Sequence, residues 1–238
     1  MGIAKDFNKV IHKELEVHAA WLPVTNTFEV GDFGVISDGV FARMGGIESD
    51  FGVAFASQAG AAARLDFKSD QVRSIRIVAG AEVAVWPGDD VEASLKIEFG
   101  REKSFYLKAA LTMEEMASPF AVAQALAGRP GWDAKKFKVI SAVYTGKGCV
   151  VLSSRSSNAS FEIGGKAGAL KKLDVGSAEA GLAVASKKGM GLEVLGANGV
   201  IGLRMFRVER SGQPRYEAAE APVLSSSTEW AADLEDDL

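Results

Sequence analysis

Ile3, Phe7, Val10, Ile11, Leu15 and His18 fall on one helical stripe, while Lys5, Lys9, Lys13 and Glu16 lie off it. That spacing predicts an amphipathic helix of about four turns, ending before Pro23. Val24–Phe28 leans toward strand through its branched residues, and Gly31, Gly34 and Gly39 punctuate short strands up to Gly45-Gly46. From residue 64 the period falls to two: Leu65 and Phe67, then Val72, Ile75 and Ile77, with an interruption near Ser69-Asp70. Trp86-Pro87-Gly88-Asp89-Asp90 reads as a turn.

The strictest alternation follows. Val91, Ala93, Leu95, Ile97 and Phe99 interleave with Glu92, Ser94, Lys96 and Glu98; beyond Gly100-Arg101-Glu102, Phe105, Leu107 and Ala109 interleave with Tyr106 and Lys108. Two such runs across a turn predict a hairpin. Thr112 with Glu115 forms a capping box, and Ser118-Pro119 offers a second helix start, with Gly128 as the stop. The second half predicts strands at Phe137–Tyr144, Cys149–Ser154, Ala159–Ile163, Leu182–Ser186, Leu192–Leu195 and Val200–Val208, with turns at Gly146-Lys147-Gly148 and Ala197-Asn198-Gly199. Strands outnumber helices and do not alternate with them. The fold class is therefore α+β, a twisted and mostly antiparallel sheet with flanking helices.

Composition fills in this outline. Of 238 residues, 47% are hydrophobic and 24% charged, an ordinary globular balance that excludes a disordered chain. The net charge of −4 hides a division along the chain: −5 over 1–132, +7 over 133–210 and −6 over 211–238. A basic block followed by an acidic tail is an arrangement in which a C-terminus can cover a cationic surface. The lone Cys149 permits no intrachain disulfide and no cysteine metal site, which points to a reducing compartment. Met1–Phe7 contains no apolar signal-peptide core, and Gly2 lacks the Ser or Thr at position 6 that myristoylation favours, Asp6 standing there instead. The uncharged stretches Phe51–Ala63 and Met116–Gly128 are too short for a spanning helix.

Catalytic patterns are weak. His12 and His18, six apart on the predicted helix, face different ways and cannot share a metal. Gly164-Gly165-Lys166-Ala167 lacks the earlier glycine and the hydroxyl residue of a phosphate loop, and Gly189-Met190-Gly191 fails dinucleotide spacing. Gly34–Gly39 is out of register for a nucleophile elbow. Carboxylates are plentiful, but no pair is singled out. No enzyme, metal or cofactor is expected.

Three stretches carry a resemblance. Phe7–Thr25, a helix running into Trp21-Leu22-Pro23-Val24-Thr25, is similar to the opening of the gasdermin pore-forming domain. Phe137–Tyr144 resembles the strand after that family's central helices, and Val200–Val208 resembles its closing strand. Order and spacing agree across about 200 residues. The first seven residues lack the cysteine that bacterial members commonly acylate, and only 28 residues follow Arg210 where animal members carry a large repressor domain. The resemblance is thus to compact bacterial or fungal members.

The resemblance implies a cytoplasmic protein that loses a restraint, binds acidic membranes, oligomerises and extends two hairpins per subunit into a β-barrel pore that kills the cell. Residues 1–210 are then the pore-forming domain and 211–238 an acidic linker and autoinhibitory tail. In that tail Trp230, Leu234 and Leu238 would share one helical face. Basic contacts to lipid would come from Lys5, Lys9, Lys13, Lys171, Lys172, Lys187 and Lys188, with Trp21 and Leu22 as an anchor. The membrane hairpin would comprise Val91, Ala93, Leu95, Ile97, Phe99, Phe105 and Leu107. A membrane strand needs ~9–11 residues of alternating polarity, and Val91–Phe99 supplies nine. The expected partners are acidic membrane lipids, copies of the chain itself and an activating protease or protein, with no nucleic acid. The alternative is a binding or scaffold module whose 133–210 block meets an acidic partner.

Overall fold

A computed structural model describes residues 2–37, 39–174 and 182–216. The first helix, α1 (Ile3–Leu15), buries Phe7 and Ile11 and leaves Lys5, Lys9 and Lys13 exposed on the opposite side. It stops well before Pro23. Glu16 turns left-handed at φ 54°, its N–H bonding the His12 carbonyl, and Ala19 N–H then bonds Asn8 Oδ1 at 2.7 Å. The chain thus folds back on the helix, and His18 joins a short strand β1 (His18–Ala19) instead of the helical stripe. The two imidazoles lie 6.4 Å apart, which corrects the expectation that they face apart. Val24–Phe28 is irregular, not a strand: Asn26 Nδ2 donates to Leu22 O at 2.8 Å and to Val200 O at 3.1 Å, satisfying carbonyls that a strand partner would have taken.

The body is mostly antiparallel sheet. A hairpin, β2 (Asp32–Ser37) and β3 (Val40–Gly46), leads to α2 (Ile47–Phe51) and β4 (Ser57–Ala59). Then come β5 (Ala63–Lys68), β6 (Val72–Val78), β7 (Ala81–Val83), β8 (Glu92–Phe99) and β9 (Phe105–Met116). Helix α3 (Pro119–Leu126) precedes β10 (Lys138–Ser154), β11 (Ala159–Lys166), α4 (Ala167–Asp174), β12 (Ala183–Lys188), β13 (Met190–Val208) and β14 (Pro214–Tyr216). One sheet runs β1-β13-β10-β2-β3, with β14 on β13, β9 on β10, and β4 and β5 on β9; the second runs β12-β11-β8-β6-β7.

Several elements differ from the sequence reading, each for a tertiary reason. The capping box at Thr112–Glu115 starts no helix, because β9 runs unbroken to Met116 between β10 on one edge and β4 and β5 on the other. Glu114 and Glu115 accept hydrogen bonds from Ser57 and Gln58 across the sheet instead. The helix begins at Pro119 and ends ahead of Gly128, whose φ of 76° suits a stop. The turns expected at Gly146–Gly148 and Ala197–Gly199 are facing irregularities in one long ribbon, β10 against β13, where Gly148 N–H bonds Asn198 Oδ1 at 2.8 Å. The linker expected from residue 211 donates Pro214–Tyr216 to the sheet, Tyr216 packing its ring 6.0 Å from Phe206.

Candidate functional site

The hairpin expected from Val91–Phe99 and Phe105–Ala109 does not form. β8 pairs with β6 and β11, while β9 pairs with β10, β4 and β5, so these neighbours in sequence lie in different sheets. The reason is visible in the order of the strands. In the first sheet β13, β10, β9 and β5 lie side by side; in the second, β12, β11, β8 and β6 repeat that order. Each second-sheet strand is the chain continuation of its first-sheet counterpart. Four strands, over 63–78, 92–116, 138–166 and 183–208, therefore pass from one sheet to the other through a corner. Joined at their far ends they make two hairpins. Hairpin 1 is tipped by residues 79–91 and hairpin 2 by the segment that begins with α4.

The corners form a crease with its own chemistry. Each contains a left-handed residue: Gln71 (φ 62°), Lys103 (φ 58°), Asn158 (φ 59°) and Gly189 (φ 66°). For Gln71 and Lys103 a side chain makes that conformation unfavourable, whereas asparagine and glycine adopt it readily. Neighbouring corners are stitched together. Ser69 Oγ accepts from Phe105 N–H at 2.9 Å, and Gly100 N–H reaches Gln71 O at 2.9 Å. Buried Ser154 accepts from Ser104 N–H at 3.0 Å through Oγ and donates the same hydroxyl to Arg101 O at 2.6 Å. Arg155 N–H closes the line on Gly189 O at 2.8 Å. Serine hydroxyls take over backbone bonds that the ladder gives up where the strands turn.

Beyond the crease the two faces of the second sheet differ sharply. Leu95, Ile97 and Phe99 of β8 and Phe161 and Ile163 of β11 are buried on one face. They share a cluster with Tyr106, Val150 and Leu152 of the first sheet, closed by Leu170 and Leu173 of α4. The other face is polar on β8 and β11, while β6 sets Ile75 and Ile77 on it opposite Lys96 and Ser94. Ser94 Oγ donates to Glu162 Oε1 at 2.6 Å, Lys96 pairs with Glu98 at 2.7 Å, and Ser186 reaches Glu162 Oε2 at 3.4 Å.

The expected site residues divide accordingly. Leu95, Ile97 and Phe99 line the distal cluster, with Ala93 packed at its margin and Val91 exposed at the tip; Phe105 and Leu107 belong to the α1 cluster. Lys5, Lys9 and Lys13 form one exposed row. Lys171 pairs with Asp89 at 2.5 Å and Lys187 with Glu193 at 3.1 Å, while Lys172 and Lys188 are exposed. The +7 block is thus partly matched by carboxylates from elsewhere, Asp89, Asp90 and Glu115 among them. Trp21, expected at a membrane surface, packs 6.0 Å from the Phe7 ring, leaving Leu22 exposed beside it. Trp230, Leu234 and Leu238 lie outside the described residues. Ser69, Ser154, Asn158 and Asp89 were missed; only the break near Ser69-Asp70 and the turn at Trp86–Asp90 hinted at them.

No family model and no curated protein matches the sequence. Among solved structures the chain is similar to the cryo-EM structure of the Gasdermin A3 membrane pore. The two share 10% sequence identity over 94% of this chain and 98% of that one, at a TM-score of 0.35. Among the described residues, no helix is long and apolar enough to cross a membrane, which says nothing about strands.

Proposed function

We propose that this protein is a gasdermin-like pore former, whose second sheet is a folded-back pair of membrane hairpins. The observation that supports this reading is the repeated strand order across the crease. A sheet assembled from continuations of four strands needs no new pairing to straighten; it needs only the corners to open. The alternation of β8 and β11 also meets what a bilayer demands, apolar side chains toward lipid and polar ones toward a lumen, with every backbone group paired within a closed barrel; β6 departs from it at Ile75 and Ile77.

Length sharpens the proposal. The distal strands β6, β8, β11 and β12 have seven, eight, eight and six residues, short of the ~9–11 that a tilted span requires. Both tips must contribute, so α4 unwinds in this reading. Lys5, Lys9 and Lys13 supply a cationic row for an anionic surface, each worth about 1 kcal/mol near it. Copies assemble edge to edge, in the cytoplasm before release and at the membrane after it. Residues 1–216 form the body and the acidic remainder its restraint. The scaffold alternative is weakened by the pairing of Lys166, Lys171 and Lys187 within the fold.

Dye release tests this. The full chain, carrying a protease site inserted between residues 217 and 229, is cut and added to dye-loaded vesicles of phosphatidylserine and phosphatidylcholine. The cut protein should release dye from anionic vesicles and spare purely zwitterionic ones. Silence from a cut protein that keeps its folded spectrum overturns the proposal.

A further inference from the structure

The two hairpin tips touch, and the contact is made by a few specific groups. α4 opens hairpin 2's tip, and its first backbone donors have no partner within the helix. Ala167 N–H bonds Val91 O at 2.8 Å and Gly168 N–H bonds Asp89 O at 3.0 Å, both acceptors lying in the tip loop of hairpin 1. Two ion pairs flank these bonds, Lys171 with Asp89 at 2.5 Å and Lys166 with Asp90 at 3.2 Å. Gly168 is seated so closely that a Cβ there would lie 3.0 Å from Asp89 Cβ and 3.3 Å from Asp89 O. The loop is itself held in place. Val91 N–H bonds Gly88 O at 3.1 Å, and Arg76 lies 5.5 Å from the Trp86 ring while its Nη1 donates to Ala84 O at 3.1 Å. On its other side α4 inserts Leu170 and Leu173 into the apolar cluster of the second sheet.

From this arrangement we infer that the loop Gly88–Val91 is a catch that holds α4 closed, so that hairpin 1 and hairpin 2 of one subunit are released together. The inference rests on the pore-forming reading for its purpose, but its mechanics concern the soluble protein alone. α4 covers the part of the apolar face of β8 and β11 that Tyr106, Val150 and Leu152 of the first sheet leave open. It cannot unwind while its first turn is capped by Val91 and Asp89 carbonyls, and those carbonyls belong to the segment that must become the end of hairpin 1. Neither tip lengthens without the other letting go. The catch is also easily undone: its ion pairs are exposed, with Asp90 95% and Asp89 75% accessible, where such pairs contribute little and salt weakens them. An anionic surface that draws Lys166 and Lys171 away from the two aspartates competes for the same bonds.

Two measurements test the catch. Hydrogen exchange followed by mass spectrometry on the full-length soluble protein reads it without any membrane. Asp89→Lys, an exposed position that leaves the core untouched, should raise exchange about tenfold in α4, β11–β12 and β6–β8 together, with β9, β10 and β13 unchanged. The swap Asp89→Lys with Lys171→Asp should restore slow exchange. Acceleration confined to α4, or none, overturns the inference. The second measurement uses the double variant Asp89→Cys and Gly168→Cys, whose Cβ atoms are placed closely enough for a disulfide after small adjustment. Cys149 does not compete, being fully buried with its thiol pushed up to about 11. Oxidised protein, cut as above, should release no dye, and dithiothreitol should restore release. Oxidised protein that leaks as fast as reduced protein overturns the catch and leaves the pore reading standing. Failure of the reduced and unmodified proteins alike overturns the pore reading, and the exchange data then decide the catch alone.

Discussion

The same four strands behave differently on the two sides of the crease. In the first sheet they are flanked by β1, β14, β2, β3 and β4 and backed by α1, and their side chains feed more than one buried cluster. In the second they are closed by an eight-residue helix and edged on one side by the three-residue β7, while the outermost of the four, β12, has all six residues exposed. Equal strand order with unequal cover means unequal local stability, since opening free energy follows buried apolar contact. The half that holds the alternating strands β8 and β11 is the half with the least holding it down.

The largest effects should come from breaking this inequality with matched core deletions. Phe206 and Phe161 are both fully buried, the first on the proximal side and the second on the distal side. Phe206→Ala should lower global stability by about 3–5 kcal/mol in chemical denaturation. Phe161→Ala removes a comparable side chain, yet should appear chiefly as faster hydrogen exchange in β6, β8, β11 and β12, with a smaller shift of the main transition. Equal shifts of one shared transition would show that the two halves unfold as a unit.

How much of this difference was written locally is instructive. The alternation of Leu95, Ile97 and Phe99 was plain, as were the lysine row on α1 and the break at Ser69-Asp70. The pairing partners were not. Gly100-Arg101-Glu102 between two alternating runs is a hairpin signal in any window of the chain. What cancels it is Ser154, some 50 residues on, which captures Ser104 N–H and Arg101 O and lets Lys103 turn left-handed. The capping box at Thr112 failed likewise, because strands on both edges outcompeted a local cap. α4 went unseen because Leu170 and Leu173 alone mark its apolar side, and its N-terminal partners are carbonyls of a distant loop. Charge counting found the lysines but not their commitments, since Asp89 and Lys171 lie 82 positions apart.

Middle-sized effects should come from the crease, in opposite directions. Ser154→Ala leaves the buried Ser104 N–H without its hydroxyl acceptor and should destabilise the bent form by about 1–3 kcal/mol. Lys103→Gly removes the side chain that makes a φ of 58° unfavourable. After allowance for the extra freedom of glycine in the unfolded chain it should stabilise the bent form by about 0.5–1 kcal/mol. Thermal unfolding measures both, and dye release should be faster for the first variant and slower for the second. A Lys103→Gly variant that is less stable would show that the corner is not strained.

The smallest effect, and the one that separates the tip from everything behind it, is titration of the catch. Lys171 hydrogen-bonds the Asp89 carboxylate and, with its charge and that of Lys172, holds that carboxyl below the ordinary aspartate value. A depressed folded-state pKa contributes stability that is fully present above the unfolded value, about 4, and is lost as pH falls through the lowered one. Exchange at α4 and β11–β12, corrected for its intrinsic pH dependence, should therefore be flat from pH 5 to 8 and quicken only in stronger acid. Because the pair is solvent-exposed, the change should stay below about threefold and shrink with added salt. Asp89→Asn should show the quickened rate at every pH and no further acid step. An acid step that survives this substitution would place the sensitive carboxylate behind the tip, in the sheet itself, and the distal half would then owe its weakness to its core rather than to its catch.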